Sequence, residues 1–202
     1  MSAFKRQLSA IVCLGFLLTF LPPPSQAGDI VNKISARLTK ALITEGQFKQ
    51  IKRLKFLQQP LISTGIFTYH QDKGVIWTTL TPVSSQLVLD ESHMVGAEGE
   101  QNLPAAFGKV FKALLGGEFA KLSENFTITG HELANSWQLQ LNPKDDLLRK
   151  IIADIELHGD HEVRWLEMAE AGGNVTRIEF VNLSHPARLS QEQQADFERL
   201  SP

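Results

Sequence analysis

Between Gly46 and Asp90 apolar and polar residues alternate with a period of two, and Pro, Gly and Asp break the alternation at intervals. Runs rich in aromatic and β-branched residues, punctuated in this way, predict consecutive antiparallel strands. Four fit in a meander: Gly46 to Phe56, Pro60 to Tyr69, Gly74 to Thr81, and Gln86 to Asp90. Strand parity gathers Phe48, Leu54 and Phe56 on one face, followed by Phe67 and Tyr69, then Val75 and Trp77. A sheet with one wet face does not need so much large apolar surface, so something must cover it. The candidates are the chain's own helices or a ligand.

Upstream, Ile30, Ile34, Leu38, Ala41 and Leu42 recur at helical spacing, with Lys33, Arg37 and Lys40 on the other side. This predicts an amphipathic helix from Asp29 to near Gly46, either a plain cap on the open end of the sheet or a movable cover. Downstream, Leu103, Phe107, Val110, Phe111, Leu114 and Leu115 form a wide greasy stripe, with Pro104 suited to a first helical turn and Gly116-Gly117 to its end. Phe119 and Leu122 extend the stripe past the glycines, so the spacing predicts a broken helical segment lying across the sheet, with Gly108 as a further point of flexure.

A second set of strands is predicted at Phe126 to Thr129, Ser136 to Leu141, Ile151 to Leu157, Val163 to Ala169 and Asn174 to Asn182. Asp145 to Arg149 reads as a helical turn with acids at its start, where the helix dipole favours them. Gly159-Asp160 and Ala171 to Asn174 read as hairpin turns, and His131-Glu132 as a turn after Gly130. Ser190 with Gln193 three residues on predicts a capped, polar C-terminal helix. The order helix, four or five strands, apolar helix, five strands defines an α+β, mainly β fold. A sheet of roughly nine to eleven strands curls rather than staying flat, which predicts an unclosed antiparallel β-barrel with amphipathic helices covering its concave face.

The chain has 202 residues. Its start has Lys5 and Arg6, an apolar run from Leu8 to Leu21, and Ser25-Gln26-Ala27. That is the pattern of a signal peptide cut after Ala27, and the run is short for a membrane span. Cys13 follows Ile11-Val12 rather than small residues, which argues against a lipid-modified cysteine. Removing residues 1–27 leaves no cysteine, and with Lys5 and Arg6 gone the formal charge moves from −2 to −4. A mildly acidic chain with no basic block is a poor nucleic-acid binder. Residues 28–202 then form one domain in an oxidising compartment without disulfides.

Candidate chemistry is sparse. His158-Gly159-Asp160-His161-Glu162 holds metal-capable residues, but a hairpin turn there would send them in divergent directions. His70, His93 and His185 are isolated, Asp72-Lys73 reads as a solvated turn, and no nucleophile elbow, phosphate loop or zinc-protease pair is present. No catalytic residue, cofactor or metal is expected. A lipid hydrolase would need Ser63 or Ser136 to meet a histidine, and no spacing brings them together. What remains in excess is apolar area. It suits an acyl chain, each buried methylene contributing about 0.8 kcal/mol, on the order of 10 kcal/mol for a palmitate-sized chain before ordering losses. The same residues could equally close on one another as an ordinary core, giving a non-catalytic structural or interaction protein of the cell envelope.

At Gly65-x-Phe67-x-Tyr69, Trp77, Pro82 and Leu87-Val88-Leu89-Asp90, preceded by Phe48-Lys49-Gln50, the chain resembles the periplasmic lipoprotein carrier family LolA. The resemblance implies a half-open barrel under helices that takes lipoprotein acyl chains from an inner-membrane exporter and hands them to an outer-membrane acceptor. Two positions depart from it. Gln71 and Asp72 stand where the family has Arg-Pro, whose Arg reaches the lid, and Asp90-Glu91 stands where it has Asp-Gly. Gln71 is then the expected lid contact, with fewer and uncharged bonds. These departures resemble a divergent LolA-related branch associated with other envelope lipids, such as glycolipid or polyene products. The expected lipid-binding residues are Phe48, Leu54, Phe67, Tyr69, Val75, Trp77, Leu87 and Leu89 from the first half of the sheet. The lid would add Leu38, Leu42, Phe107, Val110, Phe111, Leu114 and Leu115, and the second half Trp137, Leu139 and Trp165. A single bulge would flip any strand assignment.

Overall fold

Eleven strands pair into one antiparallel sheet in the order β6-β5-β4-β3-β2-β1-β11-β10-β9-β8-β7, with β6 and β7 as its two edges. The computed structural model describes residues 26–96, 99–100 and 105–200. The chain runs α1 (Gln26–Arg37), β1 (Ile43–Arg53), β2 (Leu61–His70), β3 (Gly74–Thr81), β4 (Ser85–Leu89), β5 (Met94–Gly96) and β6 (Gly99–Glu100). There follow α2 (Ala105–Leu115), α3 (Phe119–Leu122), β7 (Phe126–Glu132), β8 (Trp137–Pro143), α4 (Asp146–Arg149), β9 (Ile152–Gly159), β10 (Val163–Glu170), β11 (Val175–Ser184) and α5 (Gln191–Glu198). The expectations on residues 1–25, on Leu103 and Pro104 and on the side chain of Phe107 lie outside the described residues.

The sheet is curled. β4 and β9 stand six places apart, which in a flat sheet would be about 29 Å at ~4.8 Å per strand. Leu89 of β4 and Ile155 of β9 nevertheless line one cavity. The inner face and the helices α1, α2 and α3 share one apolar core, in which Ile34, Phe48, Phe67, Val75, Phe119, Trp137, Leu139 and Leu157 are buried. This is the unclosed, helix-covered barrel that the sequence predicts.

Several local expectations are corrected. The first helix ends at Arg37 rather than near Gly46, and β1 begins at Ile43, so Gly46 lies inside a strand opposite Phe67. A glycine in a strand lets an aromatic ring from the neighbouring strand lie over it. β1 also stops at Arg53, before Leu54, and Phe56 is 79% exposed rather than on the inner face. His131-Glu132 is not a turn: both residues continue β7, paired with Gln138 and Trp137.

The C-terminal helix is more than a polar tail. It is capped as expected, Ser190 accepting from the Gln193 amide and Gln193 answering the Ser190 amide. Its Phe197, with Leu189, is buried on the outer face of the sheet against Ile43, Ile76 and Val88. Gln193 Nε2 donates to Glu45 and Thr68, and Gln86 donates to Asp196. The helix therefore straps the outside of β1 to β4, leaving the inner face to do something else.

Candidate functional site

Between α2 and the inner face lies a cavity of about 460 Å³. Trp77, Leu87 and Leu89 form one wall, Val110, Phe111 and Leu114 of α2 the roof, and Ile152, Ile155, Leu166, Met168 and Ile178 the opposite wall. Leu148 and Ile151 stand at one end, where Gln50, Lys52, Glu170 and Thr176 are the polar lining groups among the described residues. Lys52 and Glu170 pair at 3.2 Å, and Asn174 Nδ2 donates to the other Glu170 oxygen at 2.7 Å. The Asn174 bond and the Lys52 charge together hold the Glu170 carboxyl below its ordinary range, so the mouth carries a fixed ion pair. An apolar chamber with a few polar groups at its entrance is the form of a small-molecule site, and its volume lies in the usual range of roughly 300–1,000 Å³.

The aromatic residues picked out from the strands mostly support this chamber rather than line it. Phe48 stacks on Trp77 with ring centres 3.7 Å apart, Phe67 packs edge-on to Phe180, and Phe111 meets Trp77 edge-on at 5.3 Å. Phe48, Phe67 and Val75 are buried beneath the floor. Trp137 and Leu139 are fully buried; the Trp137 ring packs on Phe119 and its indole N–H donates to the Asp160 carbonyl. Tyr69, Leu38 and Leu115 line a separate narrow cleft at the far end of the barrel. There burial pushes the Tyr69 phenol up to about 12.

Three expected site residues lie elsewhere. Leu42 is 49% exposed because α1 ends before it. Trp165 faces outward, stacked between His158 and the Arg177 guanidinium. The cause is a register shift between Val163 and Trp165: Val163 and Leu166 point in, and the tryptophan between them is turned out. Leu54, half-buried beyond the end of β1, does not line the cavity. Ile152, Ile155, Leu166, Met168 and Ile178 line the cavity instead. The same alternation marks them, but their side chains lack the bulk that sets the aromatics apart in the sequence.

The lid is held by a different residue from the expected one. Gln71 is exposed, and its backbone N–H donates to the Leu42 carbonyl, not to a covering helix. Glu91, in the turn after β4, instead accepts from Lys112 of α2 at 3.1 Å, and the Lys112 side chain is only 9% exposed. Asp90 shapes that turn by accepting from the amides of Ser92 and His93. Burial alone would raise the Asp90 carboxyl, but these bonds and the His93 ring outweigh it and hold it low. Gly108 lets α2 come this close, since a Cβ there would collide with the Asp90 carbonyl oxygen.

The Lys112 bond and charge hold the Glu91 carboxyl below its ordinary value of 4.5. The contact is therefore fully present above that value and is lost as pH falls through the depressed one. At neutral pH, Glu91→Gln should speed hydrogen exchange of the α2 amides severalfold, and the difference from the native protein should vanish in strong acid. A pH-independent ratio between the two proteins would show that the ion pair does not hold the lid.

The metal-capable residues of the turn after β9 scatter. His158 stacks on Trp165, Asp160 binds Arg164, His161 bonds the Arg37 carbonyl, and Glu162 meets His185. Among the described residues no group of three or more metal-ligating side chains converges.

The model of a family described as outer membrane lipoprotein carrier protein LolA-like matches residues 23–189. No curated protein matches the chain. Among solved structures, a chain of the MucA/MucB complex of Pseudomonas aeruginosa is 17% identical with a TM-score of 0.47, over 84% of this chain and 60% of that one. The present chain thus spans less than two thirds of that relative. A LolA superfamily protein from Nitrosomonas europaea is 8% identical with a TM-score of 0.48, over 82% of this chain and 96% of that one. A putative outer membrane lipoprotein-sorting protein domain from Vibrio parahaemolyticus is 8% identical with a TM-score of 0.38, over 85% and 98% of the two chains.

Proposed function

Because the chain belongs to the LolA-like family of outer membrane lipoprotein carrier proteins, we propose that it is a periplasmic carrier. It takes acyl chains of a lipoprotein or another envelope lipid into the chamber beneath α2 and moves them toward the outer membrane. The observation that carries this reading is the unfilled apolar chamber itself. At roughly 24 cal/mol per Å³ of cavity, 460 Å³ without packed side chains would forfeit up to about 11 kcal/mol. That is an upper figure, since the mouth is open to water, yet it rivals the whole stability of an ordinary domain, about 5–15 kcal/mol. A sequence selected only for a filled core would close such a space with several larger side chains. A ligand's methylenes recover the same surface at about 0.8 kcal/mol each.

The work is binding, with no bond made or broken. Leu, Ile, Met and Phe side chains take the chain by area alone, so cargo selection falls to the mouth, where Lys52, Glu170 and Thr176 meet whatever head the acyl chain carries. Loading and release require α2 to lift, which breaks the Glu91–Lys112 pair and exposes Phe111 and Leu114. Transfer then follows affinity differences among an inner-membrane exporter, this carrier and an outer-membrane acceptor.

Native mass spectrometry of the protein recovered from a periplasmic extract without detergent tests this reading. A stoichiometric acylated species is expected, and its mass separates lipoprotein from glycolipid or free acyl cargo. Protein that emerges empty, and that also fails to take up a fluorescent fatty acid, would overturn it in favour of a structural role.

A further inference from the structure

We infer that the end of the barrel around the cavity mouth docks on an anionic lipid bilayer. This inference rests on the carrier reading above and adds the surface from which cargo is taken or to which it is given. Three projecting segments meet at that end. The β1–β2 loop is tied to the β10–β11 turn, as the Lys55 amide donates to Asn174 Oδ1 at 3.2 Å. That turn is tied to the segment after α4, as the Ala171 amide donates to the Ile151 carbonyl at 2.9 Å. Lys52 and Ile151 also line the cavity itself, so these segments are its rim.

The rim is apolar where it should be wet. Phe56 is 79% exposed and Leu147 66%, with Leu57, Leu61 and Ile151 exposed beside them, whereas the opposite end of the barrel shows Leu42 and Leu133. These side chains stand on separate segments: the β1–β2 loop and the start of β2, α4, and the turn after α4. Cations stand between them. The Lys52–Glu170 and Arg149–Asp146 pairs use up their charges locally. Arg53, Lys55 and Lys150 are exposed and, among the described residues, enter no ion pair. Projecting Phe and Leu side chains interleaved with unpaired cations match the two requirements of interfacial binding: apolar insertion at the acyl boundary and attraction to anionic head groups. A mouth held against the bilayer would also let an acyl chain pass into the cavity without crossing water.

The test uses protein recovered from a periplasmic extract, its N-terminus fixed by mass, and vesicles of phosphatidylethanolamine rich in phosphatidylglycerol. Cosedimentation with these vesicles is expected, with little on neutral phosphatidylcholine vesicles. The double variant Phe56→Ser/Leu57→Ser should lose at least roughly tenfold in vesicle affinity. Arg53→Glu/Lys55→Glu should lose roughly fivefold or more for each cation, an effect that added salt abolishes. All four substitutions lie outside the chamber, so uptake of a fluorescent fatty acid from solution should be unchanged. Native protein that ignores anionic vesicles, or rim variants that bind as well as native protein, would overturn the docking inference while uptake still reports on the carrier. If the rim cross-links to a membrane protein in cells but not to lipid, it serves a protein partner and the inference also falls. Failure of uptake with vesicle binding intact would strike the carrier reading and leave the docking surface standing.

Discussion

Phe111→Glu should reduce fatty-acid uptake by at least roughly two orders of magnitude in a protein that still folds. Phe111 hangs from the lid helix into the chamber and meets Trp77 edge-on. A carboxylate there has no cation among the lining groups nearer than the mouth, so an acyl chain entering beside it would have to desolvate the charge, at a cost of several kcal/mol. The empty protein escapes most of that cost, because α2 can tilt and leave the charge in water. Circular dichroism and the melting temperature should therefore stay near native while uptake disappears. Native-like uptake in a folded variant would show that α2 does not roof the binding site.

The largest effect on stability should come from Gly65→Ala, a loss of about 3 kcal/mol, or about 6–12 °C in melting temperature for a domain of this size. Gly65 sits opposite Phe48 in the β1–β2 ladder. A Cβ on it would collide with the Thr78 carbonyl oxygen and reach 2.6 Å from the Phe48 ring. Neither can yield cheaply, since the carbonyl is part of the strand and the ring is clamped on Trp77 at 3.7 Å. Gly172→Ala is the matched control: nothing lies within 4 Å of its Cβ, and it should melt with the native protein. Equal melting of the two variants would mean that the aromatic floor relaxes freely and does not fix the chamber wall.

Gly65 also shows how far a local pattern can be read. The Gly-x-Phe-x-Tyr spacing was legible as a strand, and parity placed Phe48, Phe67, Tyr69, Val75, Trp77, Leu87 and Leu89 on one face, together with Leu54 and Phe56, which fall beyond the end of β1. That inference needs only the two-residue repeat of an extended backbone, and it survives because the β1–β2 ladder has no shift and the β2–β3 ladder none between Gly65 and His70. The same rule failed at Trp165, where one shift in the β9–β10 ladder turned the ring outward. A bulge is a property of two strands brought together, and neither strand announces it. The lid shows the same limit, since Lys112 and Glu91 lie 21 residues apart and only the fold makes them neighbours.

The amino-acid sequence by itself determined the order of elements, the faces of the strands that pair without a shift, the capped final helix and the excess of apolar area, all set by neighbours within a few residues. Only the tertiary structure decided which apolar side chains fill one another and which remain around open space. That division depends on curvature, which brings β4 opposite β9, and on where α2 comes to rest. Both arise from contacts between residues far apart in the chain, whose spacing no local period encodes.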